Sequence, residues 1–327
     1  MSKRAIILAA GLLASVSMAP AAHAEVKVRA INPFPPQQIF GKEFLNYIRI
    51  LNQAGKGVYK VELVGGPAAI PMMQQAGALR NGIVDMLWAP ASFHRGLVPE
   101  VDALSASNVT PWEARGNGGV DLLDRIYGEK LKAHFLGWTI AGFGFHVFLT
   151  KPPKVTGDGG VDLRGLKLRS APMYTNFFKK IGVINVAMRA PDIYTGLERG
   201  VIVGMGWPAL AITDLGWQKF INHRIDPSFL QADGVTLVNL KKWQSLPAGA
   251  RKALTDATVA YEKTAVGFWE AAVTKEQRAL EAAGLKVITL KDGPAKTFVA
   301  DAAAEVWKRL EATGSPHANA LREKFAK

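Results

Sequence analysis

The spacing of apolar residues changes period many times along the chain. Val26–Ile31 alternates residue by residue, as a half-buried strand does. A rigid loop follows, Asn32-Pro33-Phe34-Pro35-Pro36. Phe40, Phe44, Leu45, Ile48 and Leu51 then recur at helical spacing, which predicts a helix over 37–54 stopped by Gly55. Residues 59–64 (YKVELV) read as a second strand and 83–88 as a third apolar run. Thr110-Pro111-Trp112-Glu113 is a capping box with proline at the first helical position, and it predicts a helix to about Tyr127. FLGWTI and GFHVFLT follow as strands.

A second block begins after Lys151-Pro152-Pro153. It reads as a strand over 166–170, a short helix over 172–181, another from Pro191 to Gly200, a brief apolar strand over 201–204 and a strand over 234–240. Residues 248–283 form one helical pattern without proline, ended by Gly284. At 1.5 Å per residue such a helix is about 50 Å long, more than one domain of this size needs, so it is expected to span two. A strand over 285–290 and a helix over 294–313 complete the pattern. Strands alternating with helices define an α/β chain.

Composition narrows the class. With 49% hydrophobic residues over 327 positions, the chain has the apolar content of a folded protein. It has no cysteine, which excludes disulfides, zinc–thiolate and iron–sulfur centres and thiol nucleophiles. The first 24 residues have the three parts of an export signal: basic Lys3 and Arg4, an apolar stretch over 5–18, and Ala22-His23-Ala24 as the cleavage site. Their removal takes the formal charge from +13 to +11. The apolar stretch is too short to span a bilayer, and no later one reaches the ~18 residues required. The cationic surplus points to anionic partners, and no basic run interleaved with aromatics suggests nucleic acid.

The sequence offers no catalytic set. H-E-x-x-H, G-x-S-x-G, the P-loop and G-x-G-x-x-G are all missing. Five histidines of the mature chain are scattered without metal-ligand spacing. Gly116-Asn117-Gly118-Gly119 is glycine-rich, but it lies inside a helical pattern rather than between strand and helix. No cofactor or metal is expected.

One stretch carries more specific information: LRGLKLRSAPMYTNFFKKIGVINVAMRAPDIYTGLERGVIVGMGWP, 163–208. With VELVGGPAAIP, LRNGIVDM and VNLKKWQSLP in this order, it resembles the solute-binding subunits of TRAP (tripartite ATP-independent periplasmic) transporters, of the dicarboxylate-binding-protein type. The resemblance covers essentially the whole mature chain. It implies a two-lobe periplasmic binding protein fold, type II-like, with hinge strands and a long lobe-spanning helix. The lobes are expected at 25–150 plus 235–275 and at 151–234 plus 276–327, with hinges near Thr150 and Gly234. It also implies a periplasmic receptor that takes a small organic acid from its cleft to a TRAP permease in the membrane. An exported enzyme acting on an anionic substrate on the same scaffold is the alternative, and the lack of a nucleophile–base pair counts against it.

Seven residues are candidates for the ligand site. On pattern alone Arg169 is a strand-end arginine facing away from Leu166 and Leu168; the resemblance makes it the carboxylate-binding arginine, a role its planar fork suits. His146 stands near the place where many members carry a second arginine, an alignment that falls on Gly144 if shifted by two residues. Trp207 replaces an asparagine of the family pattern and is expected to wall the cleft. Gly206 stands where metal-using relatives carry a glutamate, so a metal bridge is not expected. Trp88 and Phe34 follow first-lobe strands, and Tyr174 and Tyr194 lie on helices flanking the arginine strand; each of the four is either core or cleft wall. So much aromatic surface favours a ligand with an apolar or aromatic body.

Overall fold

A computed structural model describes residues 25–327. The export signal expected over 1–24 lies outside the described residues.

Two mixed sheets organise the chain. The first has the order Tyr59–Gly65, Val26–Ile31, Met86–Pro90, Gly234–Asn239, Ala133–Ile140. The first three run parallel, and Gly234–Asn239 runs antiparallel to both of its neighbours. The second has the order Lys286–Thr289, His223–Gln231, Gly144–Leu149, Gly204–Pro208, Lys167–Ser170, Ile184–Ala187. Gly144–Leu149 is antiparallel to both of its neighbours, while Gly204–Pro208, Lys167–Ser170 and Ile184–Ala187 run parallel.

The chain passes between the sheets at 141–143 and again at 232–233. Gly144–Leu149, placed in the first lobe by the sequence reading, hydrogen-bonds entirely within the second sheet. Thr150 is therefore no hinge: its amide donates to Val203 at the far end of that sheet. The proline-rich segment after it is a turn inside the second lobe, and the true crossing, Ala141-Gly142-Phe143, carries no proline. Gly142 adopts φ +89, a conformation that favours glycine.

The long helix runs from Ala248 to Ala282, 35 residues. Leu254, Tyr261, Ala265 and Trp269 pack into the first-lobe core with Phe40, Phe44 and Trp88. Leu280, three turns later, belongs to the second-lobe cluster with Phe148, Met205 and Trp217. The two ends of one helix are thus buried in two different cores. The chain then returns: Asp292–Glu311 packs on Asp102–Ser105 and on His223–Gln231, and Ala318–Phe325 packs on the first-lobe helix Gly119–Leu131. The last segment therefore braces both lobes rather than belonging to the second alone.

Two local expectations change, and one strand is added. The helix opened by the Thr110 capping box ends at Gly116, and a new one starts at Gly119, because Gly118 takes φ +80. The strand expected over 201–204 is shifted to Gly204–Pro208, and Val201 is exposed. His223–Gln231 is a strand despite Pro227; the ladder is irregular between Ile225 and Leu230, where a proline costs no pairing.

Candidate functional site

Strand direction fixes where the lobes face each other. In the first sheet Ala133–Ile140 shares the direction of the three parallel strands, so their carboxyl ends lie at the edge from which the chain crosses. In the second sheet Gly144–Leu149 enters from the crossing, and the parallel strands antiparallel to it end at that same edge. Carboxyl ends of parallel strands thus meet from both sides, where open α/β sheets place ligand sites.

The second-lobe edge presents a row of polar and aromatic side chains. Met205 pairs with Arg169 and Trp207 pairs with His146, so Arg169, Trp207 and His146 share one face across three adjacent strands. Arg169 Cζ lies 5.0 Å above the Trp207 ring. Its Nε donates to the Met188 carbonyl at 3.1 Å, and Nη1 donates to Tyr174 Oη at 2.7 Å and to the Gly206 carbonyl at 3.3 Å. Of the five N–H groups of the fork, the two on Nη2 have no partner among the described residues. The protein thus holds the guanidinium from one side and leaves its Nη2 end free.

Tyr174 is a support for that arginine. It is fully buried, and its hydroxyl donates to the Gly206 carbonyl at 2.5 Å while accepting from Arg169. Burial pushes its pKa up, so the hydroxyl stays protonated. Gly206 is glycine for a steric reason: a Cβ there would lie 2.6 Å from the Tyr174 ring. A glutamate at that position has no room beside this tyrosine.

Trp207 is fixed in its turn. Its Nε1 donates to the Leu210 carbonyl at 3.1 Å, and its ring meets Trp217 edge-on with centroids 4.6 Å apart. His146 Nδ1 lies 3.0 Å from the Ile225 carbonyl and 3.0 Å from Asp226 Oδ1. Arg224 grips Asp226 through Nε and Nη2, at 2.8 and 2.9 Å. Burial alone raises the Asp226 pKa, but His146 and Arg224 outweigh it and the net shift is downward. The carboxylate is therefore charged at neutral pH.

On the first lobe, Phe34 stacks on Phe40 at 4.7 Å and leans on Trp88 and Phe93. Phe34 is half-buried, whereas Trp88 is completely covered, stacked on Phe44 and Trp269. Trp88 backs the aromatic wall, and its Nε1 has no partner. Tyr194 does not join the site: it packs edge-on against Phe220, beside Gly216, on the second-lobe cluster.

Sequence reasoning missed Arg224, Asp226, Trp217 and Asp214. Arg224 and Asp226 sit two apart on one strand, a spacing that puts them on one face, but Pro227 hid the strand. Asp214 accepts from the Ile39 amide at 2.9 Å, at the start of the first-lobe helix, from a loop whose Leu210 and Ala211 are buried in the first-lobe core. This loop therefore packs on the first lobe. A groove of about 900 Å³ lies at the crossing, bordered by Gly142, Phe143, Phe229 and Lys296, and touches none of the row. The candidate site therefore rests on side-chain chemistry and not on this groove.

Two sheets joined by crossing segments, with a bracing helix and a guanidinium free at the facing edge, define a two-lobed solute-binding protein. The family model described as bacterial extracellular solute-binding protein, family 7, matches residues 32–313, and the chain belongs to that family. That description is one of solute binding, and it gives the exported-enzyme alternative no support. A solute-binding protein of Verminephrobacter eiseniae is 24% identical over 209 residues, 62% of this chain and 61% of that one. The chain thus matches about three fifths of that relative's length. A TRAP transporter solute-binding protein of Bordetella bronchiseptica, solved with copurified calcium and picolinate, superposes with a TM-score of 0.75 at 21% identity, covering 92% of this chain and 90% of that one. A TRAP periplasmic solute-binding protein of Desulfovibrio desulfuricans with bound sn-glycerol-3-phosphate gives 0.77 at 20% identity, covering 91% and 96%. Among the described residues no helix is long and apolar enough to cross a membrane.

Proposed function

We propose that this chain is the periplasmic receptor of a TRAP-type secondary transporter, capturing a small organic carboxylate between its lobes and delivering it to the membrane permease. The observation that carries the reading is Arg169: three protein oxygens hold the guanidinium and leave Nη2 unclaimed at the edge where the sheets meet. A charge-assisted contact there anchors the acid group. Phe34 and Phe93 on one lobe and Trp207 on the other offer apolar surface to the rest of the molecule, which supports an acid with an apolar or aromatic body. The picolinate in the Bordetella relative is an acid of that kind. Contacts from both lobes are complete only when the lobes meet, so the ligand favours a closed form. Export follows cleavage after Ala24.

A thermal-shift screen of carboxylates tests the reading, because a ligand at 100 times its Kd adds about 2.7 kcal/mol to the folded state. Aliphatic and aromatic acids belong in the same plate. A stabilising acid whose effect disappears in Arg169→Ala supports the assignment. Stabilisation of that variant equal to wild type removes Arg169 from the site.

A further inference from the structure

The environment of His146 specifies more than an anion. Its Nδ1 faces two oxygens, the Ile225 carbonyl and Asp226 Oδ1, both at 3.0 Å. Neither oxygen has a proton to give, since Asp226 is an ionised carboxylate already gripped by Arg224 through two bonds. The hydrogen must therefore sit on Nδ1. The charged groups around the ring are Asp226 and Arg224, which neutralise each other, and Arg169 beyond Trp207. In the neutral ring Nε2 is then a bare lone pair. That atom has no partner among the described residues and is not sealed from solvent, the side chain being 12% exposed.

We propose that His146 is a specificity-determining acceptor: its Nε2 selects acids that carry a hydroxyl or N–H donor on their body, while Arg169 takes the carboxylate. The inference rests on the carboxylate-receptor reading. A lone pair repels a carboxylate and accepts from a donor, so the two ends of the row read two different groups. One strand separates the strands of Arg169 and His146, and their partners on it are two residues apart, which sets their backbones about 12 Å apart. A small acid bridges that gap with its carboxylate over Trp207 and its donor towards His146. A guanidinium here would ask for a second negative charge; this imidazole asks for a proton.

Two measurements test it. Nitrogen-15 NMR of the mature protein labelled at histidine reports which ring nitrogen carries hydrogen, with His146→Leu identifying the signal. The neutral Nδ1–H form at pH 7.5 is expected; an Nε2–H form or an imidazolium overturns the proposal. Calorimetry then compares matched acids: mandelate with phenylacetate, and 3-hydroxybenzoate with benzoate and 3-methoxybenzoate. The hydroxylated acid is expected to bind about tenfold more tightly than its partners, the worth of one net hydrogen bond. His146→Leu should erase that preference without changing the unfolding temperature by more than a few degrees. His146→Gln, which sets a carbonyl oxygen near the Nε2 position, should restore part of it. Acids that bind without preference for the donor overturn the proposal. If no acid binds at all, the carboxylate reading fails, and the NMR result alone decides the state of the ring.

Discussion

Removing the Tyr174 hydroxyl tests whether the arginine is held as described. Tyr174→Phe keeps the ring that packs against Phe178 and Phe229 and deletes one buried oxygen. That oxygen donates to the Gly206 carbonyl at 2.5 Å and accepts from Arg169 Nη1 at 2.7 Å. A neutral hydrogen bond contributes about 1 kcal/mol net and one to a charged group about 1.5–3 kcal/mol. The sum is not lost in full, because Nη1 and the Gly206 carbonyl already lie 3.3 Å apart and can satisfy each other. We expect about 2 kcal/mol of destabilisation, read from urea unfolding of the ligand-free protein. For a chain of this size that is a fall in Tm of about 3 °C. The sign with pH follows from the raised phenol pKa: the hydroxyl's contribution is complete below the ordinary tyrosine value and declines only as pH rises towards the elevated one. The difference between variant and wild type should therefore be flat from pH 6 to 9. A variant within about 0.5 kcal/mol of wild type refutes the idea that this hydroxyl fixes the guanidinium, since nothing else distinguishes the two side chains.

Arg169→Lys should lose at least 100-fold in carboxylate affinity by calorimetry. An ammonium has only three N–H groups, and three protein oxygens already claim them; affinity within threefold of wild type contradicts this. Binding should survive exhaustive chelation, since Gly206 leaves no room for a metal-ligating side chain beside Tyr174; collapse on chelation and recovery with calcium is the contrary result. Asp233, buried in the second crossing and bonded to the Ser92 amide at 2.8 Å, has its pKa pushed up to about 6, chiefly by burial. Its folded pKa exceeds the unfolded one, so charging it costs stability as pH rises from about 4 to 6. Asp233→Asn should accordingly stabilise the protein at pH 8, by up to about 3 kcal/mol, and have little effect at pH 4; equal effects at both pH values refute the assignment. Small-angle scattering should give a smaller radius of gyration with ligand than without, and an unchanged radius in a sample with proven binding argues for a rigid pocket.

What the sequence disclosed depended on how local each signal is. The 35-residue helix was readable to within one residue, because its period needs no partner to be recognised. The strand carrying Arg169 and the strand opening at Val26 were equally plain, since alternation survives wherever one face is buried. The crossing at 141–143 was not, because two glycines around a phenylalanine differ little from an ordinary turn, and the prolines at 152–153 drew the boundary eight residues too far. Within the site, Arg169 was legible as a type of chemistry. Its three tethers were not, for they involve backbone carbonyls at Met188 and Gly206 that only the pairing of strands brings near. Trp88 and Tyr174 look alike in sequence, yet one backs an aromatic wall and the other hydrogen-bonds the arginine. Tyr194 was left as core or cleft wall, because the sequence does not say which face a helix turns to its neighbours; it packs on Phe220.

The fourth strand of the first sheet comes late. Gly234–Asn239 lies between Met86–Pro90 and Ala133–Ile140, although five strands of the other sheet and the short hairpin at 154–162 intervene in the chain. Until residue 239 has been added, the strand bearing Phe135 and Leu136 has no neighbour, and the edge bearing Leu87 and Trp88 is open. A growing or threaded chain must therefore carry two unpaired apolar edges throughout the passage of its second lobe. Cutting the gene at the first crossing does not yield a self-sufficient lobe but a fragment lacking the strand that joins its sheet. Premature stops before residue 239 should give products that aggregate or are degraded, whereas losing only the final helix leaves both sheets intact.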